Sequence, residues 1–142
     1  TREFIWSRVV ALRPCTISKV EAAINASGDD IRLVVYKVDI PSGSSEITEL
    51  TYQGSYQSVS PPEFAEFSGL SISLTQDGIY AVGVQVETGA TLSMYNDQTH
   101  LGFGSIITSP TNVGGYGLRG DGVGDTLNQY SSSLPIFWIT YE

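Results

Sequence analysis

Leu70-Ser71-Ile72-Ser73-Leu74 and Tyr80-Ala81-Val82-Gly83-Val84-Gln85-Val86 decide the fold class. The first segment alternates apolar and serine residues. The second sets Tyr80, Val82, Val84 and Val86 against Ala81, Gly83 and Gln85. A period of two marks β-strands. Between them, Gln76-Asp77-Gly78 carries the Asp-Gly pair that tight connections favour, so the two segments are expected to form a hairpin.

The same period extends outward from this pair. Residues 16–24 place Val20, Ala22 and Ile24 opposite Lys19 and Glu21. Gly28-Asp29-Asp30 reads as a turn. Residues 31–38 are apolar on both sides, as a central strand should be. Residues 41–45 form a loop, and 47–56 a more polar strand expected at an edge. Pro61-Pro62 excludes pairing there. Residues 63–67 and 91–95 are short strands. The terminal segments 4–10 and 136–141 are both apolar and both need a partner, so they are expected to lie near each other.

No window sustains a helical period. Many short strands at this spacing predict an all-β, antiparallel β-sandwich or jelly roll, with residues 1–142 as a single domain. Residues 101–133 differ. They hold eight glycines, among them Gly114, Gly115 and Gly117, and few strand signals. So long a structureless stretch is uncommon inside a compact domain. It is expected to be functional or held by a neighbouring subunit.

Composition narrows the function classes. Hydrophobic residues make up 41% of the 142 and charged residues 15%, against about 25% charged in ordinary soluble domains. Polarity comes instead from Ser, Thr, Asn and Gln, which suits wet contacts with proteins or sugars. The net charge of −8 opposes binding to nucleic-acid phosphates. Arg2, Arg8, Arg13 and Lys19 all fall in the first twenty residues, a distribution that chance accounts for better than the other reading, a basic edge that docks on an acidic neighbour. The single cysteine, Cys15, forbids an intrachain disulfide and is expected to be a small buried hydrophobe near a strand start. No apolar run is long enough for a membrane span. No secretory leader pattern opens the sequence, and Asn25-Ala26-Ser27 is therefore read as a chance glycosylation pattern.

Catalytic chemistry finds few residues. His100 is the only histidine, and it sits beside no nucleophile elbow. One His and one Cys are too few for zinc. Fifteen acids allow many carboxylate pairs but specify none. Asp121 and Asp125, Asp29-Asp30 and Asn96-Asp97 are oxygen-rich turns without calcium-loop spacing, and plain turns are the better reading. Gly114-Gly115-Tyr116-Gly117 lacks the Lys-Ser/Thr of a phosphate loop, so its glycines are assigned to loop conformations with positive φ. No enzyme, no metal and no cofactor is expected. Tyr52, Tyr56, Tyr95, Tyr116 and Tyr130, with Arg119, lie in polar or glycine-rich surroundings. They suit a sugar platform or the anchors of a protein interface.

Three runs carry a resemblance: Thr16-Ile17-Ser18-Lys19-Val20; residues 30–39, centred on Ile31-Arg32-Leu33-Val34-Val35-Tyr36; and residues 70–84. With Ser133-Leu134-Pro135 before a final hydrophobic strand, they resemble a β-sandwich module of tailed-phage virion surface proteins. The likeness covers about two-thirds of the chain and does not extend to residues 101–133. It implies a homotrimer on the virion surface, assembled in the host cytoplasm. The first role it implies is a capsid decoration (cement) protein bound to the major capsid protein or another virion protein. The second is the receptor-binding tip of a tail or head fibre that recognises host glycan. The 142 residues contain no heptads, collagen repeat or β-helix turns of a fibre shaft, which favours decoration. A carbohydrate-binding module of a cellular enzyme is a weaker third reading. The N-terminal residues Arg2, Phe4, Trp6, Arg8 and Arg13, together with the glycine-rich region, are the expected contact elements.

Overall fold

The computed structural model describes residues 4–27, 30–39, 45–59, 63–87, 92–94, 96–97, 114–117, 122–127, 134–135 and 137–142. Among them there is no helix. The strands run β1 (Phe4–Val10), β2 (Cys15–Ser27), β3 (Ile31–Asp39), β4 (Ser45–Gln53), β5 (Glu63–Phe67), β6 (Ile72–Leu74) and β7 (Ile79–Val86). They continue as β8 (Leu92–Met94), β9 (Asn96–Asp97), β10 (Gly114–Gly117), β11 (Thr126–Leu127), β12 (Leu134–Pro135) and β13 (Phe137–Tyr141).

The larger sheet has the order β10-β1-β7-β3-β4-β11. Its pairings are all antiparallel. β7 lies inside it because every apolar residue of both its faces must be covered, and β1 and β3 match its full length on either side. The smaller sheet is built around β2. β13 and β8 follow each other along one edge of β2, and β6 and β5 along the other. A register shift opposite Thr140/Tyr141 leaves Ser18 as an extra residue in β2. That bulge moves the buried positions from Cys15 and Ile17 to Val20 and Ala22. A two-stranded pair of β9 and β12 completes the pairing.

One hydrophobic cluster draws from both sheets. Ile5, Val9, Leu33, Val35, Val82 and Val84 come from the larger, and Ile17, Val20, Phe67, Leu74 and Phe137 from the smaller. This is the packing that a β-sandwich predicts. Strand alternation turns the other residues of the larger sheet to its opposite face. There Phe4, Trp6, Val34, Tyr36, Val38, Ile47, Ala81 and Leu127 form a second cluster. The inner strands β1, β3 and β7 of the larger sheet thus bury residues on both faces.

Several expectations meet the coordinates directly. The class is all-β and antiparallel, residues 31–38 form the interior strand β3, and Cys15 is buried at the start of β2. Two expectations are corrected. The segments 70–74 and 80–86 do not form a hairpin: β6 pairs with β2, while β7 pairs with β1 and β3. The connection between them crosses from one sheet to the other. The terminal strands stand in different sheets, β1 beside β7 and β10 and β13 beside β2, and both contribute to the shared cluster, through Ile5, Val9 and Phe137. Finally, Gly114–Gly117 is strand β10 beside β1 and not a loop. The turn at residues 28–29, Pro61-Pro62 and most of 101–133 lie outside the described residues.

Candidate functional site

The N-terminal contact residues divide by strand face. Phe4 and Trp6 are each 1% exposed and belong to the second cluster, where the Phe4 ring meets Tyr36 edge-on at 5.5 Å. Arg8 is also buried on this face, and desolvation lowers its pKa from the ordinary arginine value. All three are buried within the chain itself, on the face of β1 that carries the second cluster. β1 is moreover paired on both edges. Arg13 is exposed; it donates from Nη1 to the Pro14 carbonyl at 3.2 Å and sits 5.9 Å above the Tyr141 ring. Arg2 lies outside the described residues.

The tyrosine platform does not assemble as a unit. Tyr52 packs against the shared cluster. Tyr56 is half-buried at the opposite face of the larger sheet. Tyr116 belongs to β10 opposite Ile5. Tyr95, Arg119 and Tyr130 lie outside the described residues, as do His100, Asp29 and Asp121. Among the described residues, no group of three His, Cys, Asp or Glu is placed to hold a metal ion.

Two surface arrangements stand out. The first is the outer face of the smaller sheet. Phe64 of β5 and Trp138 of β13 meet edge-on across β2, with ring centroids 4.9 Å apart. Phe64 is 55% exposed, whereas Ala23, its register partner on β2, is buried. Trp138, Glu21 and Glu66 share one row of the register. Glu21 pairs with Lys19 at 3.0 Å. The hydrogen bond to Glu21 and its charge raise the Lys19 pKa, with Glu66 adding to the effect. An aromatic pair of one exposed and one half-buried ring, bordered by carboxylates, is a surface for contact: large rings bury area at low entropic cost.

The second arrangement surrounds Arg32 of β3. Its register partner on β7 is Gln85, which is 1% exposed. Arg32 donates from Nε and Nη2 to Gln85 Oε1, at 2.9 and 2.6 Å. Its guanidinium lies 4.5 Å from the centroid of the Tyr56 ring. Tyr56 in turn donates from its hydroxyl to the Val86 carbonyl at 3.4 Å. Just before β3, two residues ahead of Arg32, Asp30 Oδ1 accepts from the Ser58 hydroxyl at 2.8 Å.

An open groove of ≈ 380 Å³ lies elsewhere, lined by Lys37, Asp39, Thr48, Gln76 and Asp77 among others. Its mixed charges converge on no single ligand type.

Arg32, Gln85, Phe64 and Trp138 escaped the sequence reading. Arg32 and Gln85 carried a signal: each is a polar residue inside a strand that is otherwise apolar on both faces. Phe64 and Phe67 carried another, because their odd spacing in β5 sends one of them outward.

Comparison of the chain with protein-family models, with curated proteins and with solved structures gave no match.

Proposed function

We propose that this chain is a non-catalytic assembly module of a phage particle, a decoration protein that binds the capsid exterior as a homotrimer. The observation that carries the reading is the outward aromatic pair Phe64–Trp138 with its row of carboxylates. A cement protein must bury apolar and hydrogen-bonding surface on its neighbours, and threefold symmetry multiplies weak contacts by avidity. The motif resemblance of residues 16–20, 30–39 and 70–84 supplies the virion context. The paucity of catalytic side chains supplies the non-enzymatic part, with one histidine and one cysteine in the chain.

Native mass spectrometry and capsid binding test the proposal. A trimer is expected at micromolar concentration, together with saturable occupancy on capsids of the phage that encodes the chain. Replacing Phe64 and Trp138 by alanine is expected to lower that occupancy without unfolding the chain. A monomer that leaves such capsids bare overturns the reading. The second reading, a fibre tip that recognises host glycan, is favoured by one observation, the stack of Arg32 on Tyr56. Rings and planar cations are the groups that sugars meet in recognition sites.

A further inference from the structure

We propose that Arg32, Tyr56 and Gln85 form a binding site for the carboxylate of an acidic saccharide, with Asp30 and Ser58 receiving its hydroxyls. The saccharide part rests on the glycan-recognition reading; the carboxylate part does not.

Arg32 is a charge in an apolar setting. β3 is apolar on both faces except at Arg32, Lys37 and its exposed last residue Asp39, and Arg32 sits where its strand neighbours on the same face are buried. An arginine held there for packing alone needs only its aliphatic stem. Here the guanidinium itself is positioned. Gln85 Oε1 takes one lateral edge through Nε and Nη2, and the Tyr56 ring takes one face. Both supports are anchored, Gln85 by burial and Tyr56 by its hydroxyl on Val86. A guanidinium has five donors, and Gln85 uses two of them. The Nη1 and Nη2 donors that remain form the fork that matches the two oxygens of a carboxylate.

The acceptor on Gln85 is neutral, so it orients the cation without cancelling its charge. Among the described residues, no carboxylate lies within ion-pair distance of Arg32. A half-buried, preorganised cation of this kind favours an anion of planar, two-oxygen geometry. The neighbouring groups select the rest of the ligand. Tyr56 holds the guanidinium from one face and leaves its outer fork to the ligand. The Asp30–Ser58 pair supplies an acceptor and a hydroxyl, Asp30 lying two residues ahead of Arg32 in the chain. The chain's net charge of −8 repels free anions at long range. Affinity must therefore come from these short contacts, which a sugar acid makes and a simple carboxylate does not.

NMR titration of the intact chain tests the proposal. The probes are a glucuronate-containing oligosaccharide, its neutral glucose counterpart and a short aspartate-containing peptide. Saturable shifts are expected at the Arg32 Nε–H and at residues 30, 56 and 58 with the glucuronate probe alone. Arg32→Lys keeps the charge and stem but loses the fork, and is expected to weaken binding by about ten- to hundredfold. Tyr56→Ala is expected to weaken it as well, and an unchanged amide spectrum elsewhere shows that each variant is folded. No saturable shift with glucuronate overturns the proposal. So does an equal response to the neutral sugar, or a stronger one to the peptide. Host-cell adsorption that persists in Arg32→Gln leaves the receptor reading standing and removes this site from it.

Discussion

At Gly83 the missing side chain makes room for a ring. A Cβ there would stand 2.7 and 2.8 Å from Phe4 Cε1 and Cζ, and would also strike the Ile5 carbonyl. The absence of that Cβ lets the Phe4 ring lie across β7 toward Tyr36. Gly83→Ala is therefore expected to destabilise the chain by about 1–3 kcal/mol, as overpacking does. Urea denaturation checks it, and a midpoint unchanged from the parent would falsify the close approach. Tyr80 acts at the same scale. Its ring is buried in the shared cluster, yet its hydroxyl lies 2.8 Å from the Thr75 amide, which donates to it, and 3.0 Å from Thr75 Oγ1. Tyr80→Phe keeps the ring and removes both contacts. A loss of about 0.5–1.5 kcal/mol per hydrogen bond is expected, measured in the same urea titration. A loss no greater than that of a surface Tyr→Phe control counts against it.

The connection from β6 to β7 shows what local sequence leaves open at the scale of elements. Asp77 has φ 62°, its amide donates to the Ala11 carbonyl at 2.7 Å, and the Gly78 amide donates to Thr75 at 3.1 Å. The Asp-Gly signal thus marked a genuine reversal of the chain. It did not specify whether the flanking strands would pair or would part into separate sheets, because both outcomes use the same turn residues. The decision lies in lengths and faces. β7 needs long partners on both edges, and the three residues of β6 cannot supply one. Alternation in β2, β3 and β7 was legible because side chains carry it. β10 was not, because glycine carries no face and its pairing with β1 rests on the backbone alone. The candidate site was legible only in part for a related reason. Tyr56 could be named from its polar surroundings, but its partner Arg32 is set by register across strands distant in sequence. The arch itself is testable through Asp77. A valine there must adopt the left-handed conformation, at a cost of about 1–2 kcal/mol, whereas glycine adopts it freely. Asp77→Val is expected to lower the melting temperature and Asp77→Gly to leave it near that of the parent. Equal melting temperatures for the two variants would remove the turn from the determinants of the fold.

For the whole molecule, the larger sheet is the structural centre, because it serves two hydrophobic clusters at once. β3 and β7 are paired on both edges and apolar on both faces, so an amide there exchanges only when both clusters open. β5 and β13 flank β2 in the smaller sheet, and Phe64, Thr140 and Tyr141 on them are exposed. Local opening free energy rises with buried contact and pairing. Native-state hydrogen exchange is thus expected to rank amides of residues 33–36 and 81–85 as the slowest, near the global unfolding limit. Amides of residues 64–66 and 138–141 are expected to exchange through smaller openings. The same ranking bears on the two surfaces proposed for binding. Arg32 and Gln85 stand on the most protected strands, which suits a site that needs a fixed guanidinium. Phe64 and Trp138 stand on less protected strands, which suits a surface that adapts as it docks. If amides of β7 exchange no more slowly than those of β5, the doubly covered sheet is not the stable unit. The rigidity assigned to the Arg32 site then loses its basis.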